Sequence, residues 1–151
     1  MRIVIQRVSS ASVSVDGSIV SQIESGMLVL VGVAVGDTAD DAERLAAKCA
    51  RLRIFDDENG VMNLSVTDVA ARIIAVSQFT LQASTRKGNR PSYVNAERPE
   101  RALPLYNRFC ESLETLTAQP VGKGVFGAHM EVSLVNDGPV TIIIDSKDAP
   151  H

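Results

Sequence analysis

The chain has 151 residues, of which 45% are hydrophobic and 22% are charged, and this composition excludes a wholly disordered protein and predicts one soluble globular domain over residues 1–151. Its formal net charge of -3 argues against a protein that binds nucleic acid broadly through the phosphate backbone, although a local basic loop could still bind it. Because no apolar run is long enough for a membrane span or a signal peptide, we expect a cytoplasmic protein with no membrane partner. The acidic net charge likewise leads us to expect no DNA partner.

The N-terminal part of the chain predicts strands. Residues 2–8 and 11–15 are rich in Val, Ile and Ser, and the second segment alternates apolar and polar side chains. An Asp-Gly pair at residues 16–17 provides a two-residue hairpin turn, after which residues 18–23 return as the partner strand. The nearly continuous apolar run at residues 27–35 predicts a central strand that is covered on both faces.

The first helix is predicted to follow a well-marked start. Asp37 or Thr38 is expected to cap it, since both side chains can accept hydrogen bonds from the first backbone amides. Cys49, like Cys110 further along the chain, falls on an apolar helical face and is therefore predicted to be a core residue. The acidic segment at residues 56–60 lacks the ligand spacing of a calcium loop and is predicted to be an exposed turn.

A predicted strand at residues 71–79 ends in polar residues, and such strand ends often carry function. If the strand stays extended, Ser77 and Phe79 share one face, whereas Gln78 and Thr80 share the other. This strand end is therefore a candidate site.

The polar connection at residues 84–97 contains the densest basic cluster of the chain, which consists of Arg86, Lys87 and Arg90. Two interpretations remain open for this cluster. It is either part of a solvated loop or an arm that contacts phosphate groups beside an active site.

A second helix is predicted from about Pro99, which suits a first helical position, to about Leu116. Pro104 removes one helical hydrogen bond and should kink this helix near its N-terminus. The side chains at helical spacing that should form its buried stripe are Leu103, Tyr106, Phe109, Cys110 and Leu113.

The C-terminal part alternates apolar and polar residues from residue 124 to residue 134, which predicts a half-buried strand. His129 falls on the polar face of that strand, so we interpret it as a surface histidine rather than a general base. A Gly-Pro pair at residues 138–139 then precedes a closing strand at residues 140–144, where ordinary hairpin residues would suffice without the proline. Residues 146–151 are predicted to be a frayed tail.

These residues do not form a recognisable catalytic group. Thr80 could attack an ester, but it needs a base, and the only histidines are His129 and His151. The chain has no Cys/His cluster, paired-carboxylate signature or phosphate-binding glycine loop, so no metal and no cofactor are predicted. The residues alone predict a soluble α/β domain and do not identify its substrate.

Two segments nevertheless resemble the two signature motifs of the D-aminoacyl-tRNA deacylase family, also called D-tyrosyl-tRNA deacylases. They are Ser77-Gln78-Phe79-Thr80-Leu81 and Asn136-Asp137-Gly138-Pro139-Val140-Thr141. The resemblance spans nearly the whole chain, and two departures from the family pattern are Tyr93, where Phe is usual, and Pro104. Five further segments carry it, at residues 5–8, 53–55, 62–64, 87–92 and 124–128.

The resemblance implies a mixed, mostly antiparallel, three-layer α/β/β domain that forms a homodimer and acts on tRNA. It implies an enzyme that hydrolyses the ester between a D-amino acid, or glycine mischarged on tRNA-Ala, and the 3′-terminal adenosine, releasing free amino acid and tRNA. L-aminoacyl-tRNA should be rejected. The bond between Gly138 and Pro139 should be cis, and this motif should reach into the partner subunit's pocket, where the two backbone carbonyls would hold the α-amino group.

Two mechanisms are compatible with the first motif. Thr80 is either a nucleophile that forms an acyl-enzyme, or a positioning residue beside backbone amides that stabilise the oxyanion while the substrate's 2′-hydroxyl assists water. We favour the second because no base is visible for Thr80. Ser77 and Gln78 are then positioning residues, and Phe79 either stacks on the terminal adenine or belongs to the core.

Two other functions remain open. One is a non-catalytic dimeric module that binds aminoacyl-tRNA or an amino acid, and the other is an esterase that does not act on tRNA. Turnover distinguishes the first of these from an enzyme, and a requirement for the RNA 2′-hydroxyl distinguishes the second.

Overall fold

The computed structural model describes residues 1–148 of the chain. Within them the chain forms eight β-strands, two α-helices and one short 3-10 helix. The strands are β1 (Arg2–Val15), β2 (Ser18–Ile23), β3 (Gly26–Gly32), β4 (Phe55–Asp56), β5 (Met62–Leu64), β6 (Arg72–Ser77), β7 (Val121–Lys123) and β8 (Glu131–Asp145). The helices are α1 (Ala39–Arg51), α2 (Pro99–Thr117) and the 3-10 helix at Phe79–Gln82.

One six-stranded sheet organises the molecule. Its order is β2-β1-β3-β6-β7, and β8 also pairs with β1. Strand β1 is antiparallel to β2, β3 and β8, whereas β3 and β6, and β6 and β7, are parallel. Strands β4 and β5 form a small antiparallel sheet of their own. The predicted mixed, mostly antiparallel α/β class is therefore confirmed.

Strand β1 is a single long strand, although the sequence predicted two. Its residues 2–8 pair with β3 on one side and with the C-terminal part of β8 on the other. Its residues 11–15 pair instead with β2 and with the N-terminal part of β8. The two halves of β1 therefore pair with different strands, while β8 runs along both halves. This pairing keeps β1 continuous through residues 9–10, where the sequence predicted a break.

The central strands are buried on both faces, as their continuous apolar sequences predicted. In β3, Met27 and Val29 belong to the core that also contains the buried faces of α1 and α2, whereas Leu28 belongs to a second core. In β6, Ile73 belongs to the first core and Ile74 to the second. The second core is covered by side chains of the first half of β8. The layers therefore follow the predicted α/β/β order.

Thr38 is the N-cap of α1, and its side chain and that of Asp41 form a capping box. Asp37, the alternative cap, has another role: its buried carboxylate accepts hydrogen bonds from the Met1 ammonium group and from the Ala34 amide, each at 2.6 Å. Cys49 is buried in the core, as predicted, and burial raises the pKa of its thiol to about 12.

Helix α2 begins at Pro99, as predicted, and continues through Pro104. The predicted buried stripe is wrong at one position, because Leu103 is exposed and its neighbour Ala102 is buried instead. Cys110 is buried, as predicted, and burial raises the pKa of its thiol to about 11.

The predicted strand at residues 124–134 exists only from Glu131 onward. Residues 124–130 form a turn, in which the Ala128 amide donates a hydrogen bond to the Val125 carbonyl at 3.1 Å. Gly127 adopts a φ of 78°, a left-handed conformation that does not continue a strand.

A hairpin at the Gly-Pro pair is also absent, because β8 continues along β1 without reversing. Between the pairs Gln6 with Thr141 and Val8 with Asn136, β1 advances by two residues and β8 by five, so β8 carries three extra residues. These form a bulge that includes Gly138 and Pro139, which are joined by a cis peptide bond. The expected cis geometry is thus confirmed. We call residues 136–140 the Gly-Pro loop.

The chain end is partly ordered where a frayed tail was predicted. Ser146 is buried, and its hydroxyl accepts a hydrogen bond from the Met1 ammonium group at 2.8 Å. Its backbone amide donates to the Met1 carbonyl at 2.8 Å. The prediction is therefore wrong for Ser146, because the paired chain termini bury it. Residues 149–151 of the predicted tail lie outside the described residues.

Candidate active site

A cavity of ≈ 600 Å³ opens at the C-terminal end of β6. Its walls come from four places: the end of β3, the end of β6, the segment that leads into α2, and the turn before β8. The polar and aromatic residues that line it are Ser77, Gln78, Phe79, Tyr93, Glu97, Arg98, Phe126 and His129. Three of the four predicted residues of the first motif therefore line one cavity.

The backbone changes conformation at this cavity. Gln78 donates its amide to the Val31 carbonyl at 2.7 Å, and the 3-10 helix begins at the next residue. The predicted alternation of Ser77 and Phe79 against Gln78 and Thr80 is therefore wrong, because the chain is no longer extended there. The amides of Phe79 and Thr80 are the first of the 3-10 helix, so they have no partner within it.

Thr80 is half-buried and does not line the cavity. Its hydroxyl accepts a hydrogen bond from the side-chain amide of Gln78. An amide cannot take up the proton of a hydroxyl, so this contact orients Thr80 without activating it.

Phe79 is 57% exposed, so the core interpretation of this residue is wrong. Its ring meets the ring of Tyr93 edge to face, with centroids 5.1 Å apart and an interplanar angle of 69°. Tyr93 belongs to the polar connection before α2, so this aromatic pair packs the start of the 3-10 helix against that connection. The two rings give the cavity an exposed aromatic wall.

Two charged residues on the cavity wall were not predicted. Glu97 has a side chain that is only 6% exposed and accepts a hydrogen bond from the Arg98 amide at 2.9 Å. Its own amide donates to the Val33 carbonyl at 3.0 Å, which holds the entry to α2 against the end of β3. The sequence placed both residues directly before the predicted helix start at Pro99, but it gave no signal that this segment would lie against the end of β3.

His129 is exposed, as predicted for a surface histidine, but it also lines the cavity. Sequence reasoning missed this placement because it treated residues 124–130 as a strand. The turn at Gly127 instead brings residues 126–130 over the cavity, beside Gln78 and Phe79.

Gly138 and Pro139 do not line the cavity of their own chain; both are exposed. The bulge is held by its own residues, since the Asn136 side chain accepts a hydrogen bond from the Val140 amide at 2.8 Å and donates to the Val140 carbonyl at 3.2 Å. Gly138 has a φ of 145°, and a Cβ there would lie 2.8 Å from the Val140 nitrogen. A side chain at this position therefore does not fit the observed backbone.

Arg7 supports the same loop from beneath. Its Nε donates to the Asp137 carbonyl at 2.9 Å, and one Nη donates to the Ile54 carbonyl at 2.7 Å and to Asp56 at 3.2 Å. The Arg7 side chain is almost fully buried. Arg7 therefore fixes the position of the Gly-Pro loop at the surface.

Only one residue of the basic cluster lines either cavity. Arg86 lines a second cavity on the other side of the 3-10 helix, whereas Lys87 and Arg90 are exposed and line neither cavity.

Neither a metal centre nor a membrane span is found in the described part of the chain. Within residues 1–148, no group of three or more His, Cys, Asp or Glu side chains could hold a metal ion. No helix in this range is long and apolar enough to cross a membrane.

A family profile and several similar proteins are described as deacylases of aminoacyl-tRNA. The profile of a family described as D-Tyr-tRNA(Tyr) deacylase matches residues 4–145. Proteins called D-aminoacyl-tRNA deacylase are 58% identical in Flavobacterium psychrophilum, over 98% of this chain and 99% of that protein, and 58% identical in Porphyromonas gingivalis, over 97% of each.

Two solved structures are similar as well. A structure titled c-Myc DNA Unwinding Element Binding Protein is 41% identical, with a TM-score of 0.91 and 100% of both chains covered. A probable eukaryotic D-amino acid tRNA deacylase has a TM-score of 0.81 over 95% of this chain and 97% of that chain, and its 16% identity is evidence for the fold alone.

Proposed function

Because the chain belongs to the D-Tyr-tRNA(Tyr) deacylase family, we propose that the cavity at the end of β6 is where it hydrolyses D-aminoacyl-tRNA. The protein is a D-aminoacyl-tRNA deacylase, a hydrolase that serves translation quality control by removing D-amino acids from tRNA. Water adds to the ester carbonyl, the bond to the 3′-oxygen breaks, and free amino acid and tRNA leave.

One observation carries the assignment of the site: β6 changes from strand to 3-10 helix at the wall of the cavity. The amides of Phe79 and Thr80 lack partners within that helix, and we assign them as donors to the oxyanion of the tetrahedral intermediate. A donor fixed in this way can contribute about 3 to 4 kcal/mol to lowering the barrier.

Thr80 is assigned as a positioning residue rather than a nucleophile. Its hydroxyl is held by the Gln78 amide, which cannot act as a base. Ser77 and Gln78 position the ester at the cavity wall, and the substrate's 2′-hydroxyl assists the attacking water. Phe79, exposed and braced by Tyr93, offers its ring to the terminal adenine.

The chiral filter is assigned to the Gly-Pro loop of a partner subunit in a homodimer. The loop is exposed, lies outside its own chain's cavity, and is fixed by Arg7 and Asn136. Within residues 1–148, β8 pairs only with β1, and its outward-facing Ile143 is 67% exposed, which favours a second copy on this surface.

A site that accepts many D side chains cannot select them by side-chain contacts. It can bind only what they share, which is the α-amino group and the arrangement at Cα. The carbonyls of Gly138 and Pro139 would hold the amino group and leave no space where an L side chain points. A fixed backbone excludes such a side chain sterically, which discriminates more strongly than an apolar pocket does between substrates that differ by one methylene group. Glycine has no side chain to reject, so glycyl-tRNA mischarged on tRNA-Ala should also be a substrate.

The tRNA is proposed to be held near its acceptor end only. The chain has a net charge of -3, so contacts along the whole tRNA backbone are not favoured. Arg86, Lys87 and Arg90 lie on the connection that also carries Tyr93, and they are the candidates for phosphate contacts. With this substrate the enzyme is expected to work in the cytoplasm.

The test is hydrolysis of D-tyrosyl-tRNA and L-tyrosyl-tRNA, measured side by side with the purified protein and no added metal. We expect loss of the D form alone. Loss of neither would indicate a binding module without turnover. Loss of both would contradict the chiral filter, and equal hydrolysis of a 2′-deoxy substrate would contradict the role of the 2′-hydroxyl.

A further inference from the structure

A second cavity of ≈ 550 Å³ lies beside the candidate active site. Three cationic residues that are far apart in the sequence line it, namely Arg2, Arg86 and Lys147. They come from the start of β1, from the connection before α2, and from the segment after β8. We call this cavity the basic cleft. It also contains one carboxylate, that of Asp145.

Two of the three positive charges have no partner among the described residues. Arg2 is neutralised by Asp145, with Nε and Nη2 at 3.1 and 3.0 Å from Oδ2, and its Nη1 donates to the Leu81 carbonyl at 2.9 Å. Within residues 1–148, the side chains of Arg86 and Lys147 make neither an ion pair nor a hydrogen bond. The cleft therefore offers two free cations to an anion.

The rest of the cleft wall is mixed, with apolar side chains from Ala34, Val35 and Ala83 beside polar ones. Ser84 and Thr85 contribute hydroxyl groups, and Asn95 contributes a side-chain amide. Hydroxyl and amide groups donate hydrogen bonds to phosphate oxygens in protein complexes with nucleic acids. The wall thus combines free positive charge with neutral donors, which is the combination that a phosphodiester requires.

The basic cleft and the candidate active site are neighbours separated by a thin wall. Phe79, at the start of the 3-10 helix, lines the first cavity, and Gln82, at its end, lines the second. Three steps of a 3-10 helix advance the chain by about 6 Å. The bridge between Ala34 and Ala96 is part of the same wall, since Ala96 lines the first cavity and Ala34 the second.

We propose that the basic cleft binds a phosphodiester of the 3′ strand of tRNA, just inside the terminal adenosine. Arg86 and Lys147 contact the phosphate directly. Arg2 does not contact it but holds the wall of the cleft in place through its bonds to Asp145 and to the Leu81 carbonyl. This inference rests on the proposed function, because it places the adenosine at Phe79. It explains how a chain of net charge -3 holds RNA, since the positive charge needed is concentrated beside the site.

The test compares two double variants with the same change in charge. Arg86→Gln with Lys147→Gln removes the free cations of the cleft. Lys48→Gln with Arg51→Gln removes two exposed cations of α1, which line neither cavity, and serves as the matched control. A third variant, Arg86→Lys with Lys147→Arg, keeps the charge and should restore binding.

Each protein is assayed with D-tyrosyl-tRNA and with D-tyrosyl-adenosine, which has the ester and the adenine but no phosphate. For the cleft variant we expect KM for the tRNA substrate to rise about tenfold with kcat nearly unchanged, and no change with the minimal substrate. Binding of uncharged tRNA is measured from 50 to 200 mM salt. The slope of log K against log salt concentration should become less negative by roughly 0.7 for each phosphate contact that is lost.

Three results would overturn the inference. The first is a cleft variant whose KM and salt slope equal those of the α1 control. The second is an equal loss on both substrates, which would mean that the neighbouring active site was damaged. The third is failure of the charge-keeping variant to restore tRNA binding. Absence of hydrolysis by the unaltered protein would refute the proposed function itself, so the two failures are distinguishable.

Discussion

Replacing Asp37 with asparagine is expected to lower the free energy of unfolding more than any exposed charge substitution. The Asp37 side chain is 4% exposed and its carboxylate lies 2.6 Å from the ammonium group of Met1, a residue that is 1% exposed. Its other oxygen accepts the Ala34 amide at 2.6 Å. Asparagine can still accept that amide, but its own NH₂ group or a neutral oxygen then faces a buried positive charge.

The magnitude follows from what remains after the substitution. Removing one partner of a buried ion pair leaves the other charge buried without compensation, and this typically costs about 3 to 5 kcal/mol. The hydroxyl of Ser146, 2.8 Å from the ammonium group, is the partner that stays. For a chain of this size each kcal/mol lowers Tm by about 2 to 4 °C, so Tm should fall by about 6 to 20 °C.

The assay is urea unfolding of the protein made with Met1 as its first residue, because an N-terminal tag would itself remove the buried ammonium group. Asp40→Asn is the matched control: it makes the same chemical change on α1, at a side chain that is 77% exposed and paired with Arg44. An exposed pair contributes about 0 to 1 kcal/mol, so this control should change little.

An Asp37→Asn protein within about 1 kcal/mol of the Asp40→Asn protein, at an unchanged m-value, would refute the reasoning. It would mean that the Met1 ammonium group and Asp37 do not form a stabilising buried ion pair. The same result would remove the explanation for the ordered Ser146 segment after β8.

Two further predictions concern the proposed active site. Thr80→Val should lower kcat by roughly tenfold at most, since it removes one neutral hydrogen bond of about 1 kcal/mol, and a loss beyond about a thousandfold with a trapped acyl-enzyme would make Thr80 the nucleophile. Gly138→Ala should inactivate the enzyme because a Cβ has no room there, and so should Ala128→Trp, which fills the cavity from its wall. If the loop acts across subunits, co-expression of these two inactive chains should restore about a quarter of the sites, whereas no recovery would place loop and cavity in the same chain.

The sequence alone predicted the features that depend on neighbouring residues. The cap at Thr38, the helix start at Pro99 and the turn at residues 16–17 follow from hydrogen bonds and backbone angles within a few residues, and all three are present. The strands β3 and β6 were readable because continuous apolar runs need cover on both faces. The sequence also predicted a candidate site at the polar end of β6, where the structure has a cavity, but it did not predict the change to a 3-10 helix.

Only the tertiary structure decided the features that depend on distant partners. Whether β8 reverses at Gly138 or bulges depends on its pairing with β1, some 130 residues away, and an alternating pattern is the same in both cases. Asp37 is a residue type that often caps helices, yet its carboxylate instead accepts a hydrogen bond from the Met1 ammonium group. Arg86 and Lys147 are far apart in sequence and line one cavity only because the pairing of β1 with β8 places Arg2, Asp145 and Lys147 beside the 3-10 helix. Local chemistry sets turns and caps, whereas the long-range pairing of β1 sets which side chains share a cavity.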